Sequence, residues 1–185
     1  DCINALPICS SGLLNFNSNG AGENDFSSTN NNNGCLGLEH QAAWYVVQIG
    51  SEPTDGGDLA FTIDPVAGSG EDYDFAIYGP DVACNNLGNP IRCSFAGDSC
   101  GSCPQTGLGN GATDFSESSS GNGFVAPIEV LSGEVYYILI DNFESSSSGF
   151  DLTWTGDAIL DCGPLPSCDF TTDVGDNQII CLNSI

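Results

Sequence analysis

Apolar residues recur along this chain in short, alternating runs. In 149–155, Phe150, Leu152 and Trp154 fall on one face of an extended segment, and Asp151, Thr153 and Thr155 fall on the other. Phe75 and Ile77 repeat that spacing, as do Tyr136, Ile138 and Ile140. A period of two predicts strands over 43–49, 58–64, 73–78, 124–130, 134–141 and 149–155. The uninterrupted Tyr45, Val46 and Val47 predict a strand buried on both faces. No segment carries a helical period with caps. Stretches 15–34, 97–123 and 145–149 are rich in Gly, Ser and Asn and are predicted loops, because they have too little apolar surface to form elements. This pattern predicts an all-β chain, an antiparallel β-sandwich of jelly-roll type with long polar loops and several disulfides. The sandwich is expected to span 1–161. Residues 162–170, with Pro164 and Pro166, read as a linker. Residues 171–185 read as the first, truncated strand of a following domain, since a lone strand at 178–181 is not a domain.

Charge narrows the partners. The 185 residues hold 25 Asp and Glu against one cation, Arg92, for a formal net charge of −24. Binding nucleic acid or anionic lipid needs clustered Lys and Arg, so both are excluded as partners, and no apolar run predicts insertion into a membrane. Self-repulsion on such a surface is relieved by bound divalent cations or by salt. Arg92 is expected to be a buried or half-buried ion-pair partner of one of the many carboxylates, or alternatively a ligand anchor.

Ten cysteines, an even number, point to an oxidising compartment and to five bridges. Sequence proximity suggests Cys84–Cys93 and Cys100–Cys103, with Cys2, Cys9 and Cys35 tying down the N-terminal segment. The chain opens on Asp1 rather than Met, so a leader or preceding domain is expected upstream. The absence of any Asn-x-Ser/Thr sequon favours a bacterial over a eukaryotic secreted source.

Several motifs together resemble a known module. They are Cys2-x6-Cys9, Gly34-Cys35-Leu36, Glu39-His40, Trp44-Tyr45, the run Asp72-Tyr73-Asp74-Phe75-Ala76-Ile77-Tyr78-Gly79-Pro80, Ile91-Arg92-Cys93-Ser94, and Tyr136 through Phe143. They resemble a Cys-rich module of very large surface adhesins that gliding bacteria export through the type IX secretion system. That module is itself similar to pre-peptidase C-terminal domains and, more distantly, to CUB domains. The resemblance implies a β-sandwich, a bacterial cell-surface location and a structural or adhesive role. Residues 173–181 resemble the first strand of the Ig-like or PKD-like repeats that follow this module, which makes those repeats the expected neighbours. Surface glycans or other adhesin copies are further expected partners.

Calcium is the leading site expectation, since it takes six to eight oxygen ligands. Asp72 and Asp74 alternate along one strand and share a face, Glu39 precedes the Trp44 strand, and Asp141 and Asn142 follow the Tyr136 strand. The CUB-like likeness implies a calcium surrounded by a loop Glu and strand-end Asp residues, so Glu39, Asp72, Asp74, Asp141 and Asn142 are the expected ligands. Zinc at Cys100 and Cys103 with His40 lacks a second Cys pair and is disfavoured. Ser99 in Gly-Asp-Ser-Cys-Gly with His40 mimics a protease motif, but the surrounding residues do not fit, and no enzyme is expected. Trp44, Tyr45, Tyr78 and Trp154 could stack on sugars, the basis of an alternative carbohydrate-binding role beside a secreted hydrolase. Trp154 shares the inward spacing of Phe150 and Leu152, and Trp44 is followed by apolar strand residues, so both are expected in the core instead.

Overall fold

The computed structural model describes residues 1–10, 14–16, 26, 32–50, 57–66, 70–97, 105–144 and 149–162. These are all-β apart from one short 3-10 turn, Cys2–Asn4. Strands run in the order β1 (Leu6–Ile8), β2 (Leu14–Phe16), β3 (Gln41–Gln48), β4 (Gly57–Leu59), β5 (Phe61–Pro65), β6 (Tyr73–Tyr78) and β7 (Arg92–Ser94). They continue with β8 (Thr106–Leu108), β9 (Ser116–Glu117), β10 (Phe124–Val125), β11 (Ile128–Val130), β12 (Val135–Asn142) and β13 (Phe150–Trp154).

Two sheets face each other, one ordered β1-β3-β12-β6-β7-β9 and the other β10-β8-β5-β13-β2. The alternating residues meet between them. Tyr45, Val47, Phe75, Ile77, Tyr136, Ile138 and Ile140 from the first sheet pack on Phe61, Ile63, Phe150 and Leu152 from the second. Ring pairs cross the interface, Phe61 on Phe75 at 5.6 Å and Tyr73 on Phe150 at 4.9 Å between centroids. The sandwich is mixed rather than purely antiparallel, since β1 runs parallel to β3, β7 to β9 and β8 to β10.

The first sheet is covered on its outer face as well. Leu36, Trp44, Ala76, Tyr78, Leu87 and Leu139 form a second apolar cluster, against which Phe26 packs. Its ring lies 6.1 Å from Trp44 and 6.3 Å from Tyr78. A strand buried on both faces loses strict alternation, and all six residues of β6 are buried.

Two predicted strands are split. The 58–64 run breaks at Ala60, where β4 leaves to pair with β11 and β5 joins the second sheet. The Ala60 carbonyl instead accepts the amides of Thr155 and Gly156. The 124–130 run breaks at Ala126 and Pro127, between β10 on β8 and β11 on β4. Proline has no N–H for a ladder. Arg92 fills the gap, its Nε donating to the Ala126 carbonyl at 2.7 Å and its Nη2 to the Pro127 carbonyl at 2.7 Å. Its Nη1 donates to the Ile91 carbonyl at 2.8 Å, and the guanidinium lies 4.2 Å from the Phe115 ring centroid.

This corrects the expected ion pair. Two of the guanidinium donors are directed at the Ala126 and Pro127 carbonyls at the strand break, so Arg92 joins β7 to the β10–β11 corner. Arg92→Met, which keeps the stem and removes the donors, should cost about 2–3 kcal/mol in a denaturant melt. A loss under about 0.5 kcal/mol would mean that water satisfies those carbonyls as well.

The 97–123 stretch, predicted as loop, holds β8 and β9. Strand β8 contributes only one large apolar residue, Leu108, yet all three of its positions are buried. Gly107 makes this possible: a Cβ there would collide with the Phe61 carbonyl on the neighbouring strand.

Three disulfides lie among the described residues, Cys2–Cys84, Cys9–Cys162 and Cys35–Cys93. All three join the N-terminal segment to the sandwich, as expected for Cys2, Cys9 and Cys35. The predicted Cys84–Cys93 pair is not formed. Cys93 sits on β7, opposite Ala76 of β6, and belongs to the outer cluster that the N-terminal segment covers. It therefore meets Cys35, and Cys84 meets Cys2. Cys162, where the expected linker begins, is bonded to the sandwich. Cys100, Cys103 and the expected C-terminal strand lie outside the described residues. Disulfides on this scale indicate a secreted or otherwise oxidising setting. Among the described residues, no helix is long and apolar enough to cross a membrane.

Candidate functional site

Three of the five expected ligands, Asp72, Asp74 and Asp141, share the outer face of the first sheet. Asp74 of β6 stands opposite Asp141 of β12 in the antiparallel register. Both share the outward face of Ala76 and Leu139, two positions along their respective strands. Asp72 precedes β6 with the same parity as Asp74, and its carbonyl accepts the Phe143 amide at 2.9 Å. Asp74 is 7% exposed and Asp141 is 1% exposed.

The carboxylates are held differently. Asp141 is fully hydrogen-bonded by His40, whose backbone amide donates to Oδ1 at 2.8 Å while ring Nδ1 lies 2.8 Å from Oδ2. The imidazole is further located by Phe143, edge-on at 4.8 Å. Asp74 has no such support: its Oδ1 is buried and accepts no hydrogen bond. Burial first, then the Asp72 and Asp141 charges, push its carboxyl up to about 8. Asp74 is thus a buried acid that needs either a proton or a cation at neutral pH.

The other two expected ligands are placed elsewhere. Glu39 Oε1 accepts the indole Nε1–H of Trp44 at 3.0 Å, over the outer apolar cluster. Its charge, added to the effect of burial, raises the Tyr78 phenol. Asn142 follows Asp141 within β12, so the pleat turns its side chain to the opposite face. There Nδ2 donates to the Tyr73 hydroxyl at 3.3 Å, and that hydroxyl donates to Glu71 Oε2 at 2.9 Å. Glu71, Tyr73, Gln41 and Asn142 are buried together at the same end of the inter-sheet core.

Sequence reasoning missed this inner polar group and the His40–Asp141 contact. The first was foreshadowed only by Glu71 sharing the parity of Tyr73. The second had no local signal, because the two residues are 101 positions apart.

Oxygen donors of this kind suit a hard cation, and the bare Asp74 oxygen is the atom that most needs one. As the side chains stand, no three His, Cys, Asp or Glu residues among the described ones are arranged to hold a metal ion.

A second acidic region, a groove of about 560 Å³, is lined by Asp58, Glu129, Glu134 and Asp157. Its acids are partly occupied with the local backbone: Asp157 Oδ1 accepts the Asp58 amide at 2.6 Å, and Glu134 Oε2 accepts the Leu131 amide and the Tyr136 hydroxyl, each at 2.7 Å.

The aromatic residues weighed for sugar stacking are in the core. Trp44, Tyr45 and Tyr78 are each at most 3% exposed, and Trp154 is partly buried against Phe61. Among the described residues, the most exposed aromatic rings are Phe95, Phe115 and Phe143. Ser99, the centre of the protease-like motif, lies outside the described residues.

No protein-family model, curated protein or solved structure matches the chain.

Proposed function

We infer that this chain is a non-catalytic structural and adhesive module of a large secreted protein on a bacterial cell surface, stabilised by calcium at Asp72, Asp74 and Asp141. The observation that carries this reading is where its unusual residues are used. The bridged cysteines bind the N-terminal segment over the outer face. The guanidinium of Arg92 joins a broken strand corner, and His40 is directed at a buried carboxylate. Each makes the fold stiffer. The resemblance to type IX-exported adhesins of gliding bacteria supports the location, and it makes Ig-like or PKD-like repeats of the same polypeptide the natural neighbours. Glycans or further adhesin copies are the proposed contacts.

Calcium is tested on chelator-treated protein. Adding millimolar calcium at pH 8 should release heat in a calorimeter and raise the melting temperature by at least about 5 °C, as expected when an ion occupies its site at many times Kd. No heat and no shift would remove calcium from the reading. The alternative role, a carbohydrate-binding module attached to a hydrolase, predicts glycan-array binding that disappears when Phe115 or Phe143 is replaced. Uniformly negative arrays favour the structural role.

A further inference from the structure

The bridge Cys9–Cys162 joins the two ends of the described fold. Cys9 directly follows β1, which lies along β3 with Ile8 opposite Val47. Cys162 follows a segment that returns to the same end of β3. There the Asp161 amide donates to the Gln48 carbonyl at 3.0 Å, Ile49 bridges Leu160, and the Gly50 amide donates to the Ile159 carbonyl at 2.7 Å. The arriving and departing chains are thus docked side by side and cross-linked with their Cα atoms 4.7 Å apart. They are 153 positions apart in sequence, and every strand except β1 lies between them.

The geometry points to a mechanical function for this bond: Cys9–Cys162 is a clamp that caps how far tension between the two ends can open the module. The inference rests on the reading of the chain as part of a load-bearing surface protein. A covalent path of nine residues and one disulfide leads from Asp1 to Cys162. Once those residues are taut, at about 30 Å, further force falls on covalent bonds and not on strand pairing. Strand β1 is the weak element within that slack, because it contributes three residues at a sheet edge. Among the described residues, the other two bridges cannot replace the clamp. Cys2–Cys84 shortens the path only as far as Cys84, and the chain from there to Cys162 could be drawn out to about 270 Å. Cys35–Cys93 offers no shorter route.

Single-molecule stretching of the full chain, with handles at both ends, tests this. Oxidised protein should extend by no more than about 110 Å, the slack of Asp1 to Cys9 plus the residues after Cys162. Dithiothreitol should release about 500 Å more, the length held between the two cysteines. The oxidised double variant Cys9→Ser/Cys162→Ser should release up to about 250 Å beyond the intact protein. If that variant does not fold, the wild-type chain with and without reductant decides alone. Extension of oxidised wild-type protein by several hundred ångströms would overturn the clamp, as would reduced protein that extends no further than oxidised. Either result leaves the calcium and adhesion experiments unaffected, and their failure would leave the clamp standing.

Discussion

Replacing Asp74 with Asn should flatten the pH dependence of stability between about pH 4 and 8 and abolish any stabilisation by calcium. In the unfolded chain this carboxyl titrates near 3.8, whereas in the fold it is raised to about 8. Below pH 4 it is protonated in both states and costs nothing. Between pH 4 and 8 the native state holds a proton that the unfolded state has released, so without a cation stability falls as pH rises. The slope approaches about 1.4 kcal/mol per pH unit, and the whole window amounts to at most about 6 kcal/mol. Above pH 8 the folded carboxylate is ionised and the full cost is present. Asn keeps the shape, never ionises, and can donate to the neighbouring carboxylates. In chelator, therefore, the variant should match wild type at pH 4 and exceed it by several kcal/mol at pH 8.5. In calcium the order should narrow or reverse, because only the wild type gains a ligand. Denaturant melts at the two pH values, with and without calcium, read all four states. Parallel pH profiles for the two proteins would show that Asp74 is solvated and ordinary.

The double variant Cys9→Ser/Cys162→Ser should lower stability by about 5 kcal/mol even without applied force. Closing a loop of 153 residues removes that much chain entropy from the unfolded state on the loop-closure relation. For a fold of this size the loss corresponds to a melting point lower by about 10–20 °C. Removing both sulfurs avoids leaving one free thiol to exchange with the overlapping Cys2–Cys84 and Cys35–Cys93 loops. Those loops share sequence with each other, so their contributions do not add. Calorimetric melts of the oxidised proteins give the comparison. A difference of only a degree or two would mean that the pairing of 159–161 with the end of β3 already confines the two ends.

The longer alternating strands were legible, whereas the short β1 and β2, whose Ile8, Leu14 and Phe16 also reach the core, were not. The 73–78 prediction coincides with β6, and 134–141 differs from β12 by one residue at each end. The alternating residues of 149–155 enter the inter-sheet core as expected. Strands made of Thr, Gly and Ser were not legible. Thr106-Gly107-Leu108 lacks alternation, and what seats it is the close approach of the Phe61 backbone at Gly107. The candidate site was half legible. The i, i+2 spacing of Asp72 and Asp74 places them on one face, and the register adds Asp141 beside them. The same pleat sends Asn142 to the other face, and Glu39 bonds to Trp44 instead.

By itself, the sequence determined the all-β class, the faces of the main strands, an oxidising setting and the acidic surface. These follow from local periodicity and composition, which need no partner to express themselves. Only the tertiary structure decided which thiols meet, what Arg92 binds, that His40 supports Asp141, and that residues 9 and 162 lie side by side. Each of those is a contact between positions far apart in the chain, where spacing along the sequence carries no information about distance.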